Sequence, residues 1–203
     1  MKEGHEFHPR HEQSQSHTNV GSNSVARTIR LRGRKGTNSL PAEEFVIAMS
    51  ESELEFHRGT AKKCFNQAWD YLDKKNRDAG DDQMMMHLVH TARYHWSFIG
   101  TVENFAVGDW QISRVYAALN QPQLALHFAK SALEIMQKSN LSGILHTGYE
   151  GMARAYAIAK EHRSARDYIN KAREQLNKAT GLDDEDRKIY SDQIRETEEL
   201  IGQ

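Results

Sequence analysis

The sequence predicts an all-α fold in which about seven helices stack as antiparallel pairs behind an N-terminal arm. Three observations predict it. Beyond Pro41 the apolar residues keep the i, i+3, i+4, i+7 spacing of a single helix face. That spacing returns with a period of 40 residues. No stretch alternates polar and apolar residues convincingly, as a half-buried strand would.

Taken in order, residues 1–42 come first. They are rich in Gly, Ser, Asn and His and poor in large apolar side chains. Such a segment cannot bury enough surface to offset its ordering entropy, so it reads as a disordered arm ahead of a helical domain over 43–203. The arm is basic: Lys2, Arg10, Arg27, Arg30, Arg32, Arg34 and Lys35 face Glu3, Glu6 and Glu12, a net of +4. With −1 on the whole chain, residues 43–203 carry −5. The run from Arg27 to Lys35 has no acid and suits phosphates of nucleic acid or lipid. His5, His8, His11 and His17 form a tract able to bind metal loosely.

Cys64 is the one cysteine, which excludes an internal disulfide and suits a reducing compartment. No apolar run approaches the ~20 residues of a membrane helix, and the N-terminus lacks the apolar core of a signal peptide. A cytoplasmic protein without membrane contact is expected. Residues 13–41 are acid-free and Ser- and Arg-rich, as transit peptides are, but the three glutamates before them argue against that use.

The helices follow. Ala61, Cys64, Phe65 and Ala68 mark the first, with Leu72 one turn on, and Met85, Leu88, Val89, Ala92 and Trp96 mark the second. Ile112, Val115, Tyr116 and Leu119 mark the third, and Ala125, Phe128, Ala129 and Ala132 the fourth. Tyr149, Met152, Ala153 and Tyr156 precede Ala165, Tyr168, Ile169 and Ala172. A last helix over 184–201 places Tyr190, Ile194 and Ile201 on one side. Asp81 and Asp82 are expected to cap the second helix, Pro122 to open the fourth, and Asp183 and Asp184 to start the last. Met84, Met85 and Met86 read as core and gap-filling residues, Cys64 as a small buried hydrophobe, and Trp96 as a structural staple.

Residues 85, 125 and 165 begin matching segments, and Ala92, Ala132 and Ala172 hold the same register. Arg114-Val115-Tyr116-Ala117 and Arg154-Ala155-Tyr156-Ala157 match again 40 positions apart. Two helices per fixed period is the mark of a helical solenoid. The segment Val115-Tyr116-Ala117-Ala118-Leu119, followed by Ala125 and Ala132-Leu133, resembles the tetratricopeptide repeat (TPR), and Ala155-Tyr156 with Ala165 and Ala172 resembles it less completely. The likeness covers residues 105–178 closely and 55–98 loosely. The period exceeds the usual ~34 residues, and Asn120 and Lys160 stand where the family has a turn glycine. The resemblance implies a right-handed α-solenoid of about three units with a C-terminal capping helix, its first helices lining a concave groove.

On that resemblance Lys63, Arg114 and Arg154 occupy one position in successive first helices and form a basic ladder. Trp110 and Glu150 lie one turn earlier, and Asn66 is nearby. The row suits a carboxylate-bearing partner, each charge-assisted bond being worth roughly 1.5–3 kcal/mol, with Trp110 as an apolar anchor. The other use of these residues is internal. Glu150 and Arg154 are an i, i+4 pair, Asp109 can engage nearby arginines, and acids of the last helix can fold over Arg154. The Lys/Asn arrangement with which some family members clamp chaperone tails is not present.

His87, His90 and His95 share the second helix, and His127 follows His87 by one repeat. Two His three or four apart can hold a metal when a third ligand is fixed beside them; Glu103 is available, with nothing in the sequence that fixes it there. No phosphate loop, nucleophile elbow or paired-Cys motif occurs, and no cofactor is implied. The expected function is a non-catalytic scaffold whose groove binds an acidic or extended segment of another protein, or a second copy of the chain. The alternatives are a metal sensor or metal-dependent enzyme using the helix-two histidines, and nucleic-acid association through the arm.

Overall fold

The computed structural model describes the backbone of residues 26–28 and 46–202, with side chains from Met49 to Gly202. The arm expected to be disordered, with its histidines and most of its arginines, lies outside the described residues. The chain divides into two compact units, Met1–His57 and Arg58–Gln203. In the first, β1 (Ala26–Thr28) pairs antiparallel with β2 (Val46–Ala48), Ala26 opposite Ala48. This three-residue ribbon corrects the expectation that no strand forms; it is too short for alternation to register as a pattern.

All other regular structure is helical among the described residues. The helices are α1 (Glu51–Leu72), which begins in the first unit and continues into the second, α2 (Ala79–Ile99), α3 (Val102–Ala118), α4 (Pro122–Lys138), α5 (Leu145–Ile158), α6 (His162–Lys178) and α7 (Asp184–Ile201). Their ends have local causes. Asp78, rather than Asp81 or Asp82, is the N-cap of α2: its side chain accepts from the Asp81 amide, and the Asp81 carboxylate accepts from the Asp78 amide. The expectation missed by one turn because Asp81 occupies the reciprocal position of a capping box. Thr101 and Asn104 make the same box for α3. Pro122 opens α4, and the Asp183 side chain caps α7 through the Asp186 amide.

The 40-residue period is visible in the backbone. Asn120 and Lys160 adopt φ values of 53° and 62°, and Asn140 adopts 54°. After α3 the amides of Asn120 and Gln121 donate to the carbonyls of Ala117 and Tyr116; after α5 those of Lys160 and Glu161 donate to Ala157 and Tyr156. Asn140 and Leu141 close α4 the same way on Gln137 and Met136. Each is a Schellman turn, built here on a non-glycine residue in the left-handed region. The rings keep the period too: Tyr116 stacks on Phe128, and Tyr156 on Tyr168.

The core runs along this array. Ala68, Met85, Leu88, Val89, Ile112 and Val115 join α1, α2 and α3. Ala117, Ala125, Ala129, Leu133, Met152 and Ala155 join α3, α4 and α5. Ala125 and Ala165, like Met85, are fully buried, so the register read from sequence is the packing register. Cys64 and Met86 pack partly buried against the first cluster, Met84 is exposed, and Trp96 is buried against Phe65. The first helix of each later pair meets the first helix of the next, α3 with α5 and α5 with α7.

Candidate functional site

That stacking sets position i of one hairpin beside position i+40 of the next. Trp110 on α3 and Glu150 on α5 are such a pair, and the Trp110 indole Nε1 donates to Glu150 Oε2 at 3.1 Å. Arg114 and Arg154, one turn further along, both donate to Glu150 Oε1, from Nη1 at 3.1 Å and from Nε at 2.8 Å. The fourth donor comes from α7, where the Thr197 hydroxyl reaches the same oxygen at 2.6 Å. Glu150 is 2% exposed and Thr197 fully buried. An ion in this setting requires close partners on every side, because the desolvation of a carboxylate is compensated only by opposite charge and hydrogen bonds.

Both arginines find acids within the fold, although the buried Nε of Arg114 has no hydrogen-bond partner among the described residues. Glu196 on α7 lies 3.5 Å from each guanidinium, and Arg154 Nη2 donates to the Gln193 carbonyl at 3.3 Å. Arg114 also lies over the rings of Trp69 and Trp110, 5.2 and 5.4 Å from their centroids. Burial raises the Glu150 carboxyl, but Arg154 and Arg114 with the Thr197 hydroxyl outweigh it and hold its pKa at about 2. Burial, helped by Arg154, lowers Arg114 to about 10 against the pull of Glu150, Glu196 and Asp73.

The six residues expected to form a binding ladder are therefore divided. Trp110, Arg114, Glu150 and Arg154 come together in one buried network, whereas Lys63 and Asn66 stand exposed on α1. No hydrogen bond or ion pair joins those two to the network among the described residues. The alternative uses of these charges are realised: Arg154 pairs with Glu150, an acid of the last helix covers Arg154, and Asp109 engages Arg93 at 2.7 Å and the Ser131 hydroxyl at 2.6 Å. Sequence reasoning missed Trp69, Gln193, Thr197 and His146. For Thr197 a signal existed, since Tyr190, Ile194, Thr197 and Ile201 follow i, i+4, i+7, i+11 and one polar residue interrupts a core stripe.

His146, at the start of α5, is 1% exposed and neither ring nitrogen has a partner among the described residues. Its ring meets the edge of Tyr190 on α7, centroids 4.3 Å apart. Burial lowers its pKa to about 4, opposed by Glu150 and assisted by Arg187.

The helix-two histidines do other work. His90 Nε2 lies 3.0 Å from the Tyr116 hydroxyl and its ring packs against Phe128. His127 packs edge-on against Phe128, His95 against Tyr94, and His87 is exposed. Among the described residues no group of three His, Cys, Asp or Glu side chains is placed to hold a metal ion. No described helix is long and apolar enough to cross a membrane. Compared with known proteins, the chain matches no family model, no curated protein and no solved structure.

Proposed function

We propose that this chain is a non-catalytic, cytoplasmic protein-interaction scaffold built as a TPR-like right-handed solenoid of about three units, which binds an acidic segment of another protein. The observation that carries the reading is the seating of α7. Arg114 and Arg154, one repeat apart, both face the Glu196 carboxylate of a helix laid against α5. A surface that accommodates a helical acid at two equivalent positions has the chemistry to take such a segment from elsewhere. Lys63 and Asn66, exposed on α1, are assigned to the same groove on the repeat register alone. The identical turns and ring pairs at a 40-residue offset support the solenoid.

The test places a photo-crosslinking residue at position 63, at 66, or at Lys130 on the exposed side of α4. Crosslinking in native extract is followed by mass spectrometry and competition with unlabelled protein. One polypeptide trapped from 63 and 66, absent from 130 and competed away, is expected. Equal trapping from all three positions, or none, contradicts the reading.

A further inference from the structure

We propose that the surface of α5 and α6 beneath α7 is the binding surface for an acidic amphipathic helix of a partner protein, and that α7 is its displaceable internal occupant. The proposal rests on the adaptor reading and names the partner's chemistry. Three features of α7 point to it. The first is one-sided seating, which α7 shares with α6, where four of 17 residues are buried. Only Tyr190, Ile194, Thr197 and Ile201 of its 18 residues are buried, while the α5 helix beneath it buries His146, Thr147, Gly148, Glu150, Gly151, Met152, Ala153, Ala155 and Ala157.

The second is the seam. Two clefts run between α6 and α7, one of about 340 Å³ beside Ile169 and Ile201, the other of about 160 Å³ beside Leu176 and Ile194. Both are open grooves on the solvent side of the seam rather than voids inside it. Ile194 and Ile201 remain buried behind them, 3% and 6% exposed, so the apolar stripe of α7 is a narrow one flanked by open grooves.

The third is how the polar contacts are distributed. At the hinge end Arg187 donates to the carbonyls of Leu176 and Ala179, which ties the first turn of α7 to the end of α6. Beyond that, α7 is held by Gln193, Glu196 and Thr197 at the arginine network and by the exposed pair of Arg173 with Glu198. Glu196 itself is half exposed. Breaking these few contacts swings the helix about residues 179–183, where Gly181 sits at φ 82°.

What lies beneath is complementary to an acidic amphipathic helix. It presents two guanidiniums, the apolar side chains of Ile169 and Leu176, and the ring of His146, which has no polar partner to lose. A competing helix needs apolar residues at the spacing of Tyr190, Ile194 and Ile201, with an acid and a hydroxyl at the places of Glu196 and Thr197. Displacement regenerates the same contacts in trans, so a ligand that binds only the open state shifts the population toward it.

The experiment uses the full chain and a fluorescent peptide of residues 183–202 as the probe, read by anisotropy. Saturable binding is expected. Glu196→Lys in the peptide weakens it by about ten-fold, the loss of one charge-assisted contact. The same substitution in the chain's own α7 has the opposite sign and tightens peptide binding by about ten-fold, because the internal competitor is weakened. Thr197→Val in the chain, which keeps the side-chain shape, acts in the same direction. No binding to either variant, although α7 amides exchange faster in them, overturns the proposal. Dimers formed by the chain without peptide also overturn it, in favour of α7 exchange between copies. Failure here with position-63 crosslinks intact leaves the adaptor reading standing and moves the partner to α1; failure of both removes the adaptor reading itself.

Discussion

Helices α3 and α7 both carry charge toward the same network, yet they are held in opposite ways. α3 is walled by neighbours, and every residue from Ala106 to Val115 is buried, including Asp109, Gln111 and Arg114. α7 rests on four residues and keeps its acids largely in solvent. The buried polar residues of α3 are held by neighbouring helices: Asp109 has Arg93 and Ser131, Gln111 donates to the Phe65 carbonyl at 2.8 Å, and Arg114 has Glu150, with Gln111 Oε1 and Arg114 Nε left unpartnered among the described residues. In α7 only Thr197 is committed in this way. The contrast separates charge that holds the array together from charge available for exchange.

The sharpest way to break that contrast is to remove its central ion. Glu150→Ala leaves Arg114 buried without its nearest acid, and urea denaturation is expected to record a loss of about 3–5 kcal/mol. Glu196→Ala, at the exposed end of the same network, costs below about 1 kcal/mol. Similar losses from both would abolish the distinction.

Acid comes next. The His146 pKa falls from 6.5 to about 4 on folding, so the unfolded chain holds the extra proton between these values. Stability is complete above pH 6.5 and declines as pH drops to 4, by about 3 kcal/mol. Glu150, lowered from 4.5 to about 2, adds a further loss below pH 4.5 as its carboxylate is protonated. His146→Phe is expected to flatten the upper part of this profile and leave the lower part in place. Denaturation at pH 7, 5.5 and 4 checks it; an unchanged slope in the variant contradicts the assignment.

A smaller effect comes from two glycines in repeat register, Gly108 and Gly148. A Cβ on Gly108 meets the Trp96 ring at 3.2 Å and Arg93 Cδ at 2.8 Å; on Gly148 it meets Met136 Sδ at 2.7 Å and Leu133 Cδ1 at 3.1 Å. Thioether and methyl ends move more easily than an indole. Gly108→Ala is therefore expected to cost about 1–3 kcal/mol by overpacking, and Gly148→Ala less, as measured by thermal melting. The smallest change goes the other way: Lys160→Gly relieves a left-handed lysine and should stabilise by about 0.5–1 kcal/mol.

Much of the array was legible in the sequence because its period is carried by small residues that only packing explains. Ala92, Ala132 and Ala172 are all buried, at 1% exposure or less, and recur at the spacing of the hairpins. Asn120 and Lys160 were readable as turn positions because the segments on either side matched. The glycines at 108 and 148 obey the same spacing and were overlooked, since a helical glycine attracts notice only when its neighbour across the interface is known. The site was less legible. Periodicity set Arg114 and Arg154 40 residues apart and i, i+4 spacing offered Glu150 to Arg154, but neither could tell that Glu150 would also meet Arg114, because that depends on how closely α3 approaches α5. Nor could it place Thr197, 47 residues from its acceptor. His146 carries no pattern at all; its burial is a consequence of where Tyr190 lands.

The contrast between α3 and α7 is tested most directly by native-state amide exchange on the full chain at neutral pH, across a series of low urea concentrations. The expected result is that amides from Ile194 to Ile201 exchange through an opening with a urea dependence clearly smaller than that of global unfolding but not zero, about a hundred-fold faster than those from Ile112 to Ala117, which open only with global unfolding. If both sets share one opening free energy and one urea dependence, α7 is an integral part of the core and cannot serve as an exchangeable occupant.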